Sequence, residues 1–198
     1  MSGDLSRDEL VEQGRAVLDW IAEYLEHPEQ YPVLAQVRPG EIRASLPASP
    51  PREAESIERI LEDFETKIIP GITHWNHPAF FGYFATSSSV PGILAEMLVA
   101  TLDVKAMLWR TSPAATELEE LATDWLRQML GLGDGWFGIT TDTASISSML
   151  ALAAAREARS ELAIRERGMA GRTDLPRLRV YASEHAHSSV DKAALALG

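Results

Sequence analysis

Apolar and polar positions alternate along the chain in two different periods. From Arg7 to Glu26, Leu10, Val11, Val17, Leu18, Ile21 and Leu25 recur at helical spacing, which predicts an amphipathic helix over 7–26. Ser6-Arg7-Asp8-Glu9 in front of it reads as a capping box, and Pro28 stops it. Pro28, Pro32, Pro39, Pro47, Pro50 and Pro51 make residues 28–52 an extended segment, long enough to drape over something, a second subunit included. Ile57, Ile60, Leu61, Phe64 and Ile68 then form one stripe, predicting a helix over 52–69. Two helices and a drape do not close a core, so residues 1–70 read as an appendage that buries its stripes against another body.

Further helices are predicted from Ser89-Val90-Pro91 to Asp103 and from Thr111-Ser112-Pro113 to Leu130. Leu118, Leu121, Ala122, Trp125, Leu126 and Met129 give the second of these its apolar face, and Gly131 is placed to cap its end. Trp109, between the two, reads as an anchor. The period then shortens. WFGITT, Trp136–Thr141, and RLRVYA, Arg177–Ala182, read as strands. Between them Thr143-Ala144-Ser145 opens an Ala-rich helix predicted to run to Arg167, and another helix starts at Ser188. Strand, helix, strand, helix is the pattern of a βαβ unit, so the fold class is α/β with a parallel sheet. Two parallel strands do not make a stable domain, and the last helix has only begun at Gly198. The expectation is therefore an N-terminal part of a larger fold, or one half of a split one.

One stretch obeys neither period. HWNHPAFFGYFAT, His74–Thr86, holds five aromatic rings in a loop between helices. Rings at this density are costly to leave in water. They belong to a satellite core, an oligomer contact, or the wall of a pocket for an aromatic ligand.

Composition narrows the partners. The net charge is −11, with 29 acidic against 18 basic residues, which argues against nucleic acid and anionic membranes. No apolar run approaches the length of a membrane span, and MSGDLSRDEL is not a secretory signal pattern, so a cytoplasmic location is expected. With no Cys there is no disulfide, thiolate metal site or thiol nucleophile.

In an open α/β sheet, ligands bind beyond the carboxyl ends of the strands. Thr141-Asp142-Thr143-Ala144-Ser145 lies at that position and leads into a helix N-terminus, where free N–H groups and two hydroxyls suit an anion. The same residues also suit plain helix capping. It is not a Walker motif, because no GK[ST] follows. After the second predicted strand, His185 and His187 stand two residues apart. Without Cys or an evident carboxylate partner no metal is assigned to them. One reads as the neighbour of a helix cap, the other as an imidazole at the same sheet edge as the anion cradle.

These stretches, taken in order with LWRTSPAATELEELATDWLRQMLGL, TDTAS and SEHAHSSVDKAA, resemble the group II pyridoxal-phosphate-dependent amino-acid decarboxylases, and within them the aromatic-L-amino-acid decarboxylases. The resemblance covers nearly the whole chain. It implies a fold type I transferase-like architecture, with residues 1–85 as helical dimerisation segment and aromatic loop. Residues 86–198 would be the first part of the large cofactor-binding domain. It implies a homodimer, or a second polypeptide carrying the rest of the fold. The cofactor would be pyridoxal 5'-phosphate and the substrate a small-molecule amino acid, aromatic by the character of the loop, converted to the amine and CO2. By resemblance Thr143, Ala144 and Ser145 hold the phosphate. His187 stacks on the pyridine ring and assists catalysis. Trp75, Tyr83, Phe84, Ala85 and Thr86 line the substrate pocket. Many relatives have Pro where Ala85 stands and an acidic residue where Ile146 stands. The Lys that holds the cofactor and the Asp that pairs with its ring nitrogen would lie beyond Gly198. Lys67, Lys105 and Lys192, the only lysines, match neither role, so the chain alone is expected to be inactive. An aldehyde synthase of the same family, which His187 disfavours, and a non-catalytic dimerisation chain are the alternatives.

Overall fold

The computed structural model describes residues 5–198 and divides into two compact units, one reaching to Leu102 and the other spanning Asp103–Gly198. In the first unit, α1 (Arg7–Glu26) starts at the expected capping box. The Ser6 hydroxyl accepts from Glu9 N–H (3.3 Å), and the Glu9 carboxylate accepts from Ser6 N–H (2.8 Å). The Ser6 hydroxyl, and then its backbone N–H, hold the Glu9 carboxyl below its ordinary range. After α1 come a 3-10 turn at Pro28–Gln30 and the short α2 (Glu41–Ser45).

The next helix, α3 (Ile57–Asp63), begins later than position 52 because Ser56 takes the cap, accepting from Arg59 N–H (3.4 Å). A π-helical turn (Phe64–Ile68) and a 3-10 turn (Ile69–Gly71) extend it to the expected stop. Trp20 of α1 stacks on Tyr24 (centroids 5.4 Å) and meets the edge of Phe64 (4.9 Å). Even so, neither α1 nor α3 has a buried residue. The Pro-rich segment is pinned inside its own chain. His74 N–H donates to the Val33 carbonyl (3.0 Å), and Ala35 N–H to the Thr73 hydroxyl (3.4 Å). The unit closes with α4 (Val90–Leu102).

In the second unit, α5 (Pro113–Met129) is capped by Ser112, whose hydroxyl accepts from Ala115 N–H, and Pro113 stands at the first position where no N–H is needed. Trp109 is tethered to α5 by a hydrogen bond from the indole N–H to Glu117 (2.9 Å). Gly131 ends α5 as expected. At φ +69° it lets Leu132 N–H reach the Arg127 carbonyl and its own N–H reach that of Gln128, both at 3.0 Å. The Ala-rich helix α6 (Ala144–Glu157) stops a full ten residues before Arg167. The chain instead reverses through a 3-10 turn (Ser160–Leu162), left-handed Ala163 and α7 (Ile164–Arg167). This route buries Leu162 and Ile164, and that burial outweighs helix propensity. Arg172 holds the reversal by donating to the Leu162 carbonyl (2.7 Å) and, bidentately, to Asp174. The hydrogen bond from Arg172 lowers the Asp174 carboxyl to about 2. The last helix, α8 (Ser189–Leu197), packs on α6.

The α/β expectation is not confirmed by the described residues, none of which forms a strand. Trp136–Thr141 and Arg177–Ala182 enter no β-ladder. For the first the reason is visible, since part of its backbone is bonded to α5 instead. Thr140 donates through both N–H and hydroxyl to the Glu119 carboxylate (2.7 and 2.6 Å), and Thr123 donates to the Gly138 carbonyl (3.3 Å). Two short parallel segments cannot stabilise each other without flanking strands. The close approach to α5 also explains Gly138, where a Cβ would come within 2.7 Å of the Thr123 Cβ. Gly138→Ala is expected to cost about 1–3 kcal/mol through overpacking, read as a lower denaturation midpoint with unchanged slope.

Candidate functional site

Each unit holds its own group of candidate residues. In the second unit, the N-terminus of α6 carries Thr143, Ala144 and Ser145. The Thr143 hydroxyl accepts from Ile146 N–H (3.3 Å) and so caps the helix, as the simpler reading of this stretch requires. The same hydroxyl retains its own proton to donate. The N–H groups of Ala144 and Ser145 have no hydrogen-bond partner among the described residues, and no acidic residue stands in the first turn. All three residues are exposed. The loop entering the helix is stapled by Thr141, whose hydroxyl lies 2.5 Å from that of Ser147 and donates to the Thr143 carbonyl (3.1 Å). Sequence reading missed this staple, although a hydroxyl six residues from another across a cap was there to be noticed.

His187 stands just before α8. Its Nδ1 receives the backbone N–H of Ser189 (3.2 Å) and lies 3.0 Å from the Ser189 hydroxyl oxygen. Arg156, near the end of α6, donates to the carbonyl of Leu197 at the end of α8 (2.6 Å). This ties the C-terminal ends of the two packed helices together. His185 is solvent-exposed beside Glu184. No cluster of three or more His, Cys, Asp or Glu able to hold a metal ion occurs among the described residues.

In the first unit, the aromatic loop divides. His74 is buried, 1% exposed, and belongs to a packed cluster rather than a pocket. Its Nδ1 is 2.9 Å from the Tyr24 hydroxyl, and its ring stacks on Tyr31 (4.8 Å). Burial, followed by the neighbouring His77, pushes its pKa down, while the Ile69 carbonyl acts the other way. Trp75 stacks on Phe80 (4.8 Å) and on Tyr83 (5.6 Å). Phe80 was not singled out in the sequence. Tyr83 takes a left-handed backbone, φ +54°, Phe84 is fully exposed, and Ala85 and Thr86 are exposed. The structure thus joins Trp75 and Tyr83 in one stack and leaves Phe84, Ala85 and Thr86 outside it.

Comparison with known proteins bears on this arrangement directly. Residues 39–198 match the pyridoxal-dependent decarboxylase conserved domain. The chain belongs to this family. Among its relatives, tyrosine decarboxylase 2 of Arabidopsis thaliana is 43% identical, over 94% of this chain and 35% of its own length. The phenylacetaldehyde synthase of the same plant is 38% identical, over 96% of this chain and 38% of its own length. Among solved structures, Oryza sativa TDC with PLP and tryptamine superimposes with a TM-score of 0.86 at 32% identity, covering 100% of this chain and 43% of that one. Rhodiola rosea 4-hydroxyphenylacetaldehyde synthase gives 0.85 at 35% identity, covering 98% and 41%. The chain spans little more than a third of the length of the curated relatives it matches. Its path is that of the family fold, although its described residues form no sheet.

The family's cofactor is pyridoxal phosphate. The cradle fits the phosphate end of that molecule. Two unpaired N–H groups at a helix N-terminus and two exposed hydroxyls are the donor set that an anion needs, and the nearest acid, Asp142, is exposed to solvent before the cap.

Proposed function

We propose that this chain supplies the phosphate-binding and ring-contacting residues of a pyridoxal-phosphate-dependent decarboxylase that converts an aromatic L-amino acid to its amine and CO2. The observation that carries this reading is the open donor set at the α6 N-terminus in a chain belonging to this family. Thr143, Ala144 and Ser145 bind the phosphate through two N–H groups and two hydroxyls. His187 contacts the flat ring of the cofactor and keeps it in plane. It also assists catalysis through Nε2, the ring nitrogen left free by Ser189, as a hydrogen-bonding group. The chemistry that the bound cofactor supplies is an electron sink for the pair left when CO2 departs. Trp75, Tyr83, Phe84, Ala85 and Thr86 receive the substrate side chain, and the exposed rings among them suit an aromatic one.

Residues 1–85 serve dimerisation. The absence of any buried residue in α1 and α3 supports this, because Leu10, Val11 and Leu18 of α1 and Ile60 of α3 are left exposed. Burial of these stripes against a second subunit would remove that surface from water.

A second reading rests on the aldehyde synthases among the relatives, which match this chain nearly as well as the decarboxylases do. One assay separates the two. The intact enzyme is supplied with L-tyrosine and L-tryptophan, and CO2, amine, aldehyde and oxygen uptake are followed together. Amine equimolar with CO2 and no oxygen uptake is the expected result. Aldehyde with matching oxygen uptake would replace the first reading by the second. Absence of CO2 from every aromatic amino acid would overturn both.

A further inference from the structure

Ser189 is the first residue of α8 and is 7% exposed, one of the few buried polar residues described. Both of its polar groups converge on one atom. Its backbone N–H donates to His187 Nδ1 at 3.2 Å, and its hydroxyl oxygen lies 3.0 Å from the same nitrogen. A backbone N–H is a donor and nothing else. The nitrogen that receives it presents a lone pair and carries no proton. In a neutral imidazole the proton then sits on Nε2. With Nδ1 unprotonated, the Ser189 hydroxyl also donates to it, and this is the only partner the buried hydroxyl has among the described residues. The rest of His187 is exposed, so this one edge is what restrains the ring.

We propose that Ser189 is a positioning residue that locks His187 as the Nε2–H tautomer and aims that N–H as the ring's sole donor. The consequence for turnover rests on the function proposed above, but the tautomer does not. Nε2–H is the form that gives a hydrogen bond to a group over the cofactor ring. The other tautomer would turn a lone pair toward that group and set two donors against each other at Nδ1. The assignment also gives α8 a second role, since its first N–H, which no carbonyl of the helix can accept, is used to orient the histidine.

The test is nitrogen NMR on the intact holoenzyme labelled with 15N-histidine, with the His187 signals identified by their loss in His187→Gln. Two-bond correlations to the ring carbon-bound protons report which nitrogen is protonated. In the unaltered enzyme only the Nε2–H form of His187 is expected. Ser189→Ala keeps the backbone N–H but removes the hydroxyl. It is expected to make the Nδ1–H form detectable and to lower kcat several-fold with little change in KM. Ser189→Thr, which restores a hydroxyl, is expected to recover both. An Nδ1–H signal for His187 in the unaltered enzyme would overturn the proposal, and that reading needs no variant to fold. So would Ser189→Ala with an unchanged tautomer and an unchanged kcat, because the hydroxyl would then position nothing beyond what the retained backbone N–H already fixes. Full turnover in His187→Gln would remove the catalytic role of His187 while leaving the tautomer result to stand or fall by itself.

Discussion

Replacing His187 by alanine in the intact enzyme is expected to cut turnover at saturating pyridoxal phosphate by about 10²–10³-fold, the usual worth of one preorganised hydrogen-bond donor. Cofactor affinity should move much less, because a face contact between rings contributes only about 0.5–1.5 kcal/mol beyond area burial. Ser145→Ala should do the reverse. Its hydroxyl is one donor among several at the α6 N-terminus, and losing one hydrogen bond to a charged group costs about 1.5–3 kcal/mol. That corresponds to roughly a ten- to hundredfold weaker cofactor affinity, with turnover near normal once the cofactor is saturating. Titration of both variants with pyridoxal phosphate, followed by turnover at saturation, separates the two effects. Full turnover in His187→Ala with only weakened binding would show that His187 merely helps to hold the cofactor.

His74→Ala is expected to lower stability by roughly 2–5 kcal/mol, the range for truncating a buried side chain of middle size. His74 is the most deeply buried large side chain described, and its ring joins Tyr24 of α1 to Tyr31 of the Pro-rich segment. Its removal leaves a cavity between them and strips the Tyr24 hydroxyl of its partner. The same residue makes stability depend on pH, and the sign follows from burial. The folded-state pKa of His74 lies below its ordinary 6.5. Above that value both folded and unfolded chains hold the imidazole neutral, and it adds no pH dependence. As pH falls below it, the unfolded chain binds the proton first and is favoured, so stability declines until the folded-state pKa is reached. Tyr24, Tyr31 and His77 are the titratable groups around the ring, and none of them is a carboxylate that would offset the charge. Urea unfolding of the intact protein between pH 7.5 and pH 5.5 (values chosen to bracket the ordinary histidine range) reads this slope. His74→Ala should flatten it. An unchanged slope in the variant would move the pH dependence to another histidine.

What could be read in advance was what neighbours in the chain decide. The Ser6–Glu9 box, the Pro113 start and the Gly131 stop each need fewer than five residues of context, and all three stand where expected. The ends of α3 and α6 depend on distant partners. Nothing between Glu157 and Arg167 forbids a helix, and only the burial of Leu162 and Ile164 beneath Arg172 ends it. The two β-rich runs had strand composition, but a strand also needs a neighbour, and Thr140 found Glu119 first. At the site, the residue types were legible while their orientation was not. His187 could be named from its motif, but its tautomer is set by Ser189, whose burial the sequence does not reveal. His74 was counted with the exposed rings around it, because its partner Tyr24 lies 50 residues away.

The pinning of Val33 and Ala35 to His74 and Thr73 turns the Pro-rich segment into a closed ring of chain whose two ends are fixed. Such a ring tolerates changes in length at small cost, since each doubling adds only about 0.6 kcal/mol of closure entropy. Residues 46–55, exposed throughout, are thus where insertions and deletions can accumulate without disturbing either anchor. At the anchors themselves the register is fixed, because a slip of one residue would carry His74 away from both tyrosines.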